Sequence, residues 1–225
     1  MPGPMAYARE RLSYAKPAEV PRLALRAMWL PLRHRIWSRT ELRVYCAYAE
    51  RIRSLPNLRA LRVDSSEDLD RYERTDFHGQ MPKDEFLRTA QERLANGCHV
   101  YTLVENGRLI HYGWLQERQV EAKDPKVGIT FYPPANSALT WDSYTHPAAR
   151  DRGLFQSSLC QRLHEAVERT GAKRVYSYVF GTNPASWRVI QKIYEHEGTL
   201  VREIRLGRVR RYVVANVTPF YYRLA

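Results

Sequence analysis

The sequence predicts an α/β fold in which a mixed central sheet is flanked by helices. Three observations carry this. Short runs that alternate apolar and polar residues recur from about residue 40 to residue 217. Two joints between such runs, Asn106-Gly107 and the one at Gly207, have hairpin chemistry. From residue 137 to 193 the order becomes strand, helix, strand, helix, so strands come first and mixed units follow.

The elements follow in chain order. ELRVYCAY (41–48) and LRALRV (58–63) alternate as strands do. Ser65 and Asp68 have the spacing of a capping box, which predicts a short helix through Tyr72. Pro82 suits a first helical position, and Asn96-Gly97 stops the helix it opens. CHVYTLV (98–104) and RLIHYGWLQE (108–117) form a hairpin across Asn106-Gly107. Residues 121–137 read as loop. SALTWDSYT (137–145) is a strand that ends at His146-Pro147. Apolar residues at 155, 159, 163 and 166–167 make a helical stripe that Gly171 ends. KRVYSYVF (173–180) is a strand, and Asn183-Pro184 caps a helix to Ile193. TLVREIRL (199–206) and RRYVVANV (210–217) close the chain as a hairpin.

A chain of 225 residues, 44% of them hydrophobic, favours one domain with extra sequence. Its apolar runs fall short of the ~20 residues a spanning helix needs. The charged start has no signal-peptide pattern, so a cytoplasmic protein is expected. Cys46, Cys98 and Cys160 are odd in number and far apart, which implies no disulfide framework, and no metal-ligand spacing is present. The net charge of +12 favours anionic partners without choosing among a phosphorylated small molecule, a membrane surface and nucleic acid, the last being least favoured. Residues 1–39 read as a basic, partly flexible extension and 40–225 as the domain. Within the extension, 21–39 interleave arginines with Trp29, Trp37 and leucines. That is either an amphipathic contact to an anionic membrane surface or a packed segment whose arginines snorkel.

The chemistry-bearing stretch is 137–186. A strand ends in Thr145-His146-Pro147, Arg150 and Gly153 follow, and a helix begins. Such a turn points several unpaired backbone N–H groups at one place, and the helix dipole adds positive charge there. A pyrophosphate suits that site, Arg150 and Arg152 add donors, and Gly153 lets the backbone come close.

The string Thr145-x-Pro147-x-x-Arg150-x-x-Gly153-x-Phe155, with Asn183-x-x-Ser186 some thirty residues on, resembles the acyl-CoA motifs of the GNAT acyltransferase superfamily. The resemblance implies a GNAT-like acyl-CoA N-acyltransferase fold over about 40–217, with motif-level identity confined to 137–193. It implies that Ser143, Tyr144 and Thr145 offer strand backbone to the pantetheine arm. Arg150, Asp151, Arg152, Gly153, Leu154, Phe155 and Gln156 would wrap the pyrophosphate of acetyl-CoA or another acyl-CoA, the cosubstrate, with no metal. Asn183 would touch the pantetheine and Ser186 lie beside it. Two positions depart from the family pattern. Phe155 stands at the second small position of the loop. Ile190 stands where the family often has a Tyr as general acid, and Tyr194 follows one helical turn later.

The implied reaction is attack of a small-molecule amine on the thioester, the amine first losing a proton from a pKa near ~10.4. Candidate bases are Asp142, His111 and Glu117, and Tyr194 is the candidate acid. An amino sugar, with the positive charge serving an anionic or phosphorylated acceptor, is the expected amine. The alternatives are a catalytically impaired CoA-binding or structural module, and a nucleic-acid or membrane binder acting through the Arg-rich N-terminal region.

Overall fold

The computed structural model describes residues 36–57, 61–75, 81–118, 121–124, 126–217 and 222–224. The expected extension up to residue 35, with most of its amphipathic stretch, and residues 58–60 of the strand expected at 58–63 lie outside the described residues.

The strands are β1 (Trp37–Tyr48), β2 (Arg62–Val63), β3 (Cys98–Glu105), β4 (Arg108–Gln116), β5 (Ala122–Asp124), β6 (Ile129–Phe131), β7 (Ser137–Thr145), β8 (Arg174–Phe180), β9 (Glu195–Arg205), β10 (Arg208–Ala215) and β11 (Tyr222–Leu224). The helices are α1 (Ala49–Arg53), α2 (Ser66–Leu69), α3 (Lys83–Ala95), α4 (Leu154–Thr170) and α5 (Pro184–Ile193). Among the described residues, eight strands form one sheet in the order β10-β9-β1-β8-β7-β4-β3-β2. Every neighbouring pair is antiparallel except β7 and β8, which run parallel, so the sheet is mixed.

The apolar stripe of α4 packs one face. Leu159, Leu163 and Ala166 bury against Tyr45, Leu115, Val175 and Val179. Each fully buried leucine contributes about 1.5–3 kcal/mol by leaving water. On the other face, Phe86 and Ala90 of α3 and Leu69 of α2 pack on Val100, Tyr112 and Trp114. Asn106 and Gly107 both have positive φ, 50° and 74°, as a two-residue hairpin turn requires. Among the described residues, no helix is long and apolar enough to cross a membrane.

Four local expectations need correction. The strand expected at 41–48 starts earlier, at Trp37, because pairing with β9 continues back to Trp37 opposite Arg205. The stretch expected as loop at 121–137 contains β5 and β6, which pair with each other in a second sheet where β6 also pairs with β11. Their three-residue runs are too short to show a period, but Val127, Ile129 and Phe131 bury against Leu139 and Tyr176. Strand β9 starts at Glu195, not 199, because Cys46 and Tyr45 pair with Glu195 and His196. Finally, Ser65 accepts from Asp68 N at 3.2 Å as expected, but α2 ends at Leu69. The Asp68 carboxylate does not return to the cap; it accepts from Arg62 at 2.7 Å and from Thr102 Oγ1 at 2.6 Å.

Candidate functional site

The parallel pair β7–β8 is in register from Ser137 opposite Arg174 to Thr140 opposite Ser177. Beyond that rung β7 runs on to Thr145 and β8 to Phe180 without pairing to each other, so the two strands part toward the ends that lead into α4 and α5. A bulge in β7 accompanies the parting. Trp141 pairs with Trp114 and Tyr144 with Tyr112, which leaves Asp142 and Ser143 opposite the single residue Gly113. Asp142 takes a left-handed conformation, φ 42°, which Asp tolerates better than most residues.

Two arginines hold this bulge from opposite faces. Arg93 of α3 donates to Asp142 Oδ2 at 2.5 Å and lies over the rings of Trp141, 4.2 Å, and Trp114, 4.9 Å. Arg162 of α4 is wholly buried. It donates to Trp114 O at 3.0 Å, Trp141 O at 3.5 Å, Ser143 Oγ at 2.9 Å and Ser158 O at 3.2 Å. A Cβ on Gly113 would stand 2.7 Å from Arg162 Cζ, so the guanidinium occupies the space a side chain would fill. Burial lowers the Arg162 pKa to about 10, which leaves it a cation at neutral pH.

After Thr145 the chain turns through a short 3-10 segment, Pro147–Ala149, anchored by His146 N donating to Ile110 O at 2.8 Å. Asp151 and Gly153 have positive φ, 62° and 74°, and Gly153 sits at the start of α4. The bond from Ser157 N to Gly153 O opens the helical ladder at 3.0 Å, so the N–H groups of Leu154, Phe155 and Gln156 precede it. Phe155 turns inward and packs on the α4 core. Arg150 Nε donates to Thr145 O at 3.4 Å. Arg152 makes a two-pronged contact with Glu105, 2.8 and 2.6 Å, on the neighbouring hairpin.

The remaining expected site residues fall in four places. Ser143 and Asp142 are exposed where β7 and β8 part, and Tyr144 and Thr145 are half-buried beside them. Tyr144 stacks on Tyr112 at 5.5 Å. Asn183 and Ser186 are joined to each other, Asn183 Oδ1 accepting from Ser186 N at 3.2 Å as the cap of α5. His111 and Tyr194 are interior. His111 is fully buried with Nδ1 2.8 Å from Thr145 Oγ1, and burial together with the nearby Arg162 charge pulls its pKa down to about 3. Tyr194 is 2% exposed, its hydroxyl lies 2.7 Å from Thr140 Oγ1, and burial raises its pKa. Glu117 stands apart, at the paired end of β7, held by Arg169 at 3.1 Å and His99 at 3.3 Å. Among the described residues no three His, Cys, Asp or Glu side chains gather as metal ligands would.

Arg93, Arg162 and Gly113 were not expected at the site. Arg162 had a signal: it sits at i+7 from Phe155 and i+3 from Leu159, on the apolar stripe, where a charge is anomalous. The concavity lined by Arg62, Asp68, Arg71 and Thr102 lies at the far edge of the sheet and holds none of these residues.

No family model matches the sequence, and no curated protein matches it significantly. Solved structures do match by shape. A GNAT-family acetyltransferase from Colwellia psychrerythraea aligns with a TM-score of 0.50 at 13% identity, covering 79% of this chain and 60% of that one. The chain has the GNAT fold. A ribosomal-protein-alanine N-acetyltransferase from Brucella melitensis aligns at 0.42 and 15% identity over 60% of this chain and 82% of that one. A functionally unknown protein from Staphylococcus epidermidis aligns at 0.46 and 11% identity over 91% and 70%. In this GNAT fold the bulge of β7, the parting of β7 from β8 and the N-terminus of α4 lie toward one end of the sheet.

Proposed function

We propose that the protein is an N-acyltransferase that moves an acetyl or other short acyl group from coenzyme A to the amine of a small acceptor. The observation that carries this reading is the edge of β7 beyond Thr140 that β8 leaves unpaired, leading directly into a turn whose amides precede the α4 ladder. The open edge of β7 offers backbone to an amide-bearing arm. The turn at 150–156 offers donors and a helix dipole to a diphosphate. Inward packing of Phe155 keeps that turn clear despite its bulk.

The residues divide the work. The backbone of Ser143 to Thr145 orients the pantetheine arm, and the main chain of Arg150 to Gln156 grips the diphosphate. Amide donors of the bulge meet the negative charge that develops on the thioester oxygen. Asp142 is the one candidate base exposed at the parting of the strands, and it receives the ammonium proton and relays it to solvent. The thiolate leaves with a pKa near ~8.5, so a buried Tyr194 and an Ile190 in the acid position do not forbid turnover.

Those last two features also favour a second reading, a coenzyme A-binding module without turnover. Calorimetry with acetyl-CoA and a thiol-release screen against amino sugars, amino acids and polyamines test both. Heat of binding plus thiol release with at least one amine supports the transferase. Binding without release from any amine supports the module, and no heat with any acyl-CoA overturns both.

A further inference from the structure

We infer that Arg162 is a positioning residue for this reaction: from inside the fold it fixes the peptide planes of the β7 bulge and so sets the direction of the bulge amides beside the gap between β7 and β8. The inference rests on the transferase reading above.

Burying a guanidinium is costly, and apolar residues occupy positions 155, 159, 163 and 166 of the same stripe. A leucine at 162 would pack as they do, so packing does not explain an arginine. Among the described residues no carboxylate lies within ion-pair distance of Arg162, whereas Asp142 is held by Arg93. The Arg162 donors go instead to Trp114 O and Trp141 O, the rung where the bulge begins, and to Ser143 Oγ, within it. The fourth contact, to Ser158 O, ties the guanidinium to its own helix. In a trans peptide the N–H points opposite to the C=O. Drawing Trp141 C=O toward Arg162 therefore turns Asp142 N–H away from α4. From the far face Arg93 grips the Asp142 carboxylate and both tryptophan rings, so neither side of the bulge can rotate freely. Gly113 completes the device, because any side chain there would displace the guanidinium.

The test uses the full chain with Arg162→Lys, Arg162→Met and Ser143→Ala. For each, acetyl-CoA affinity, KM, kcat, melting temperature and the backbone amide resonances of residues 142–144 and 154–156 are measured. In Arg162→Met, kcat is expected to fall roughly tenfold to a hundredfold, short of the ~10²–10³ that follows outright loss of an oxyanion donor. Arg162→Lys recovers part of that loss. Acetyl-CoA affinity stays within about threefold, since the diphosphate turn is untouched. The resonances of 142–144 move and those of 154–156 do not.

A folded Arg162→Lys and Arg162→Met pair with wild-type kcat, or with unmoved resonances at 142–144, overturns the inference. Should neither fold, Ser143→Ala decides, since it removes one contact at an exposed residue. A lower kcat with shifted bulge amides supports the role, and wild-type values of both defeat it. Failure of the transferase reading is seen separately, as absence of turnover in the wild-type protein.

Discussion

Tyr194 Oη lies 2.7 Å from Thr140 Oγ1, and Thr140 sits on the last rung that joins β7 to β8. The tyrosine therefore ties the end of α5 to the point where the sheet opens, from a fully interior position. Tyr194→Phe is expected to lower unfolding free energy by about 1 kcal/mol, because Thr140 Oγ1 keeps its contact to Tyr176 O at 3.3 Å. Turnover should change less than about threefold. Urea denaturation and thiol release check both, and a kcat loss of about a hundredfold would restore the tyrosine as acid.

Asp142→Asn tests the base. Asn also tolerates the left-handed conformation, so the bulge should persist. The expected outcome is a fall in kcat of about tenfold or more with little change in KM for acetyl-CoA. An unchanged kcat would move proton removal to water or another group.

Gly113→Ala should destabilise the protein by about 1–3 kcal/mol, the usual cost of overpacking. The added methyl carbon would stand 2.7 Å from Arg162 Cζ. Combining it with Arg162→Met should return a coupling of about 1 kcal/mol or more in a double-mutant cycle. Simple additivity would show that the two residues do not compete for one space.

His111 gives a pH dependence with a definite sign. Folding holds its pKa near about 3 against 6.5 for the free side chain, so between those values the unfolded chain binds the extra proton. The stability this neutral His preserves is complete above pH 6.5 and is lost as pH falls toward 3. By pH 5 the loss reaches about 2 kcal/mol. His111→Gln should lose less than the wild type between pH 7 and pH 5 in urea midpoints. Equal losses would mean that His111 takes up its proton in the fold.

Much of the fold was legible because periodicity and punctuation agreed along the chain. The Asn106-Gly107 turn, the α4 stripe and the Asn183 cap each appear where local chemistry places them. The turn at 150–156 was legible for the same reason: a strand end, a glycine and a helix start are neighbours in sequence. The bulge and its two arginines were not. Gly113, Asp142, Arg93 and Arg162 come from four elements, and only the register of β4 against β7 brings them together. The interior positions of His111 and Tyr194 were not legible, because sequence shows that a residue can titrate, not whether water reaches it. The amino-sugar expectation drew on net charge, and the site's geometry adds nothing to it.

The place of β1 in the sheet has a consequence for how the chain is made. Leu42 pairs with Phe180 on one side and Leu200 on the other, partners 138 and 158 residues downstream. A ribosome delivering this chain releases β1 long before either partner, so its edges wait while that intervening chain is made. High contact order slows folding and leaves such edges exposed to wrong pairing. Deleting β1 would separate the β9–β10 hairpin from the rest of the sheet, whereas joining it to the C-terminal side in a permuted chain would shorten that wait.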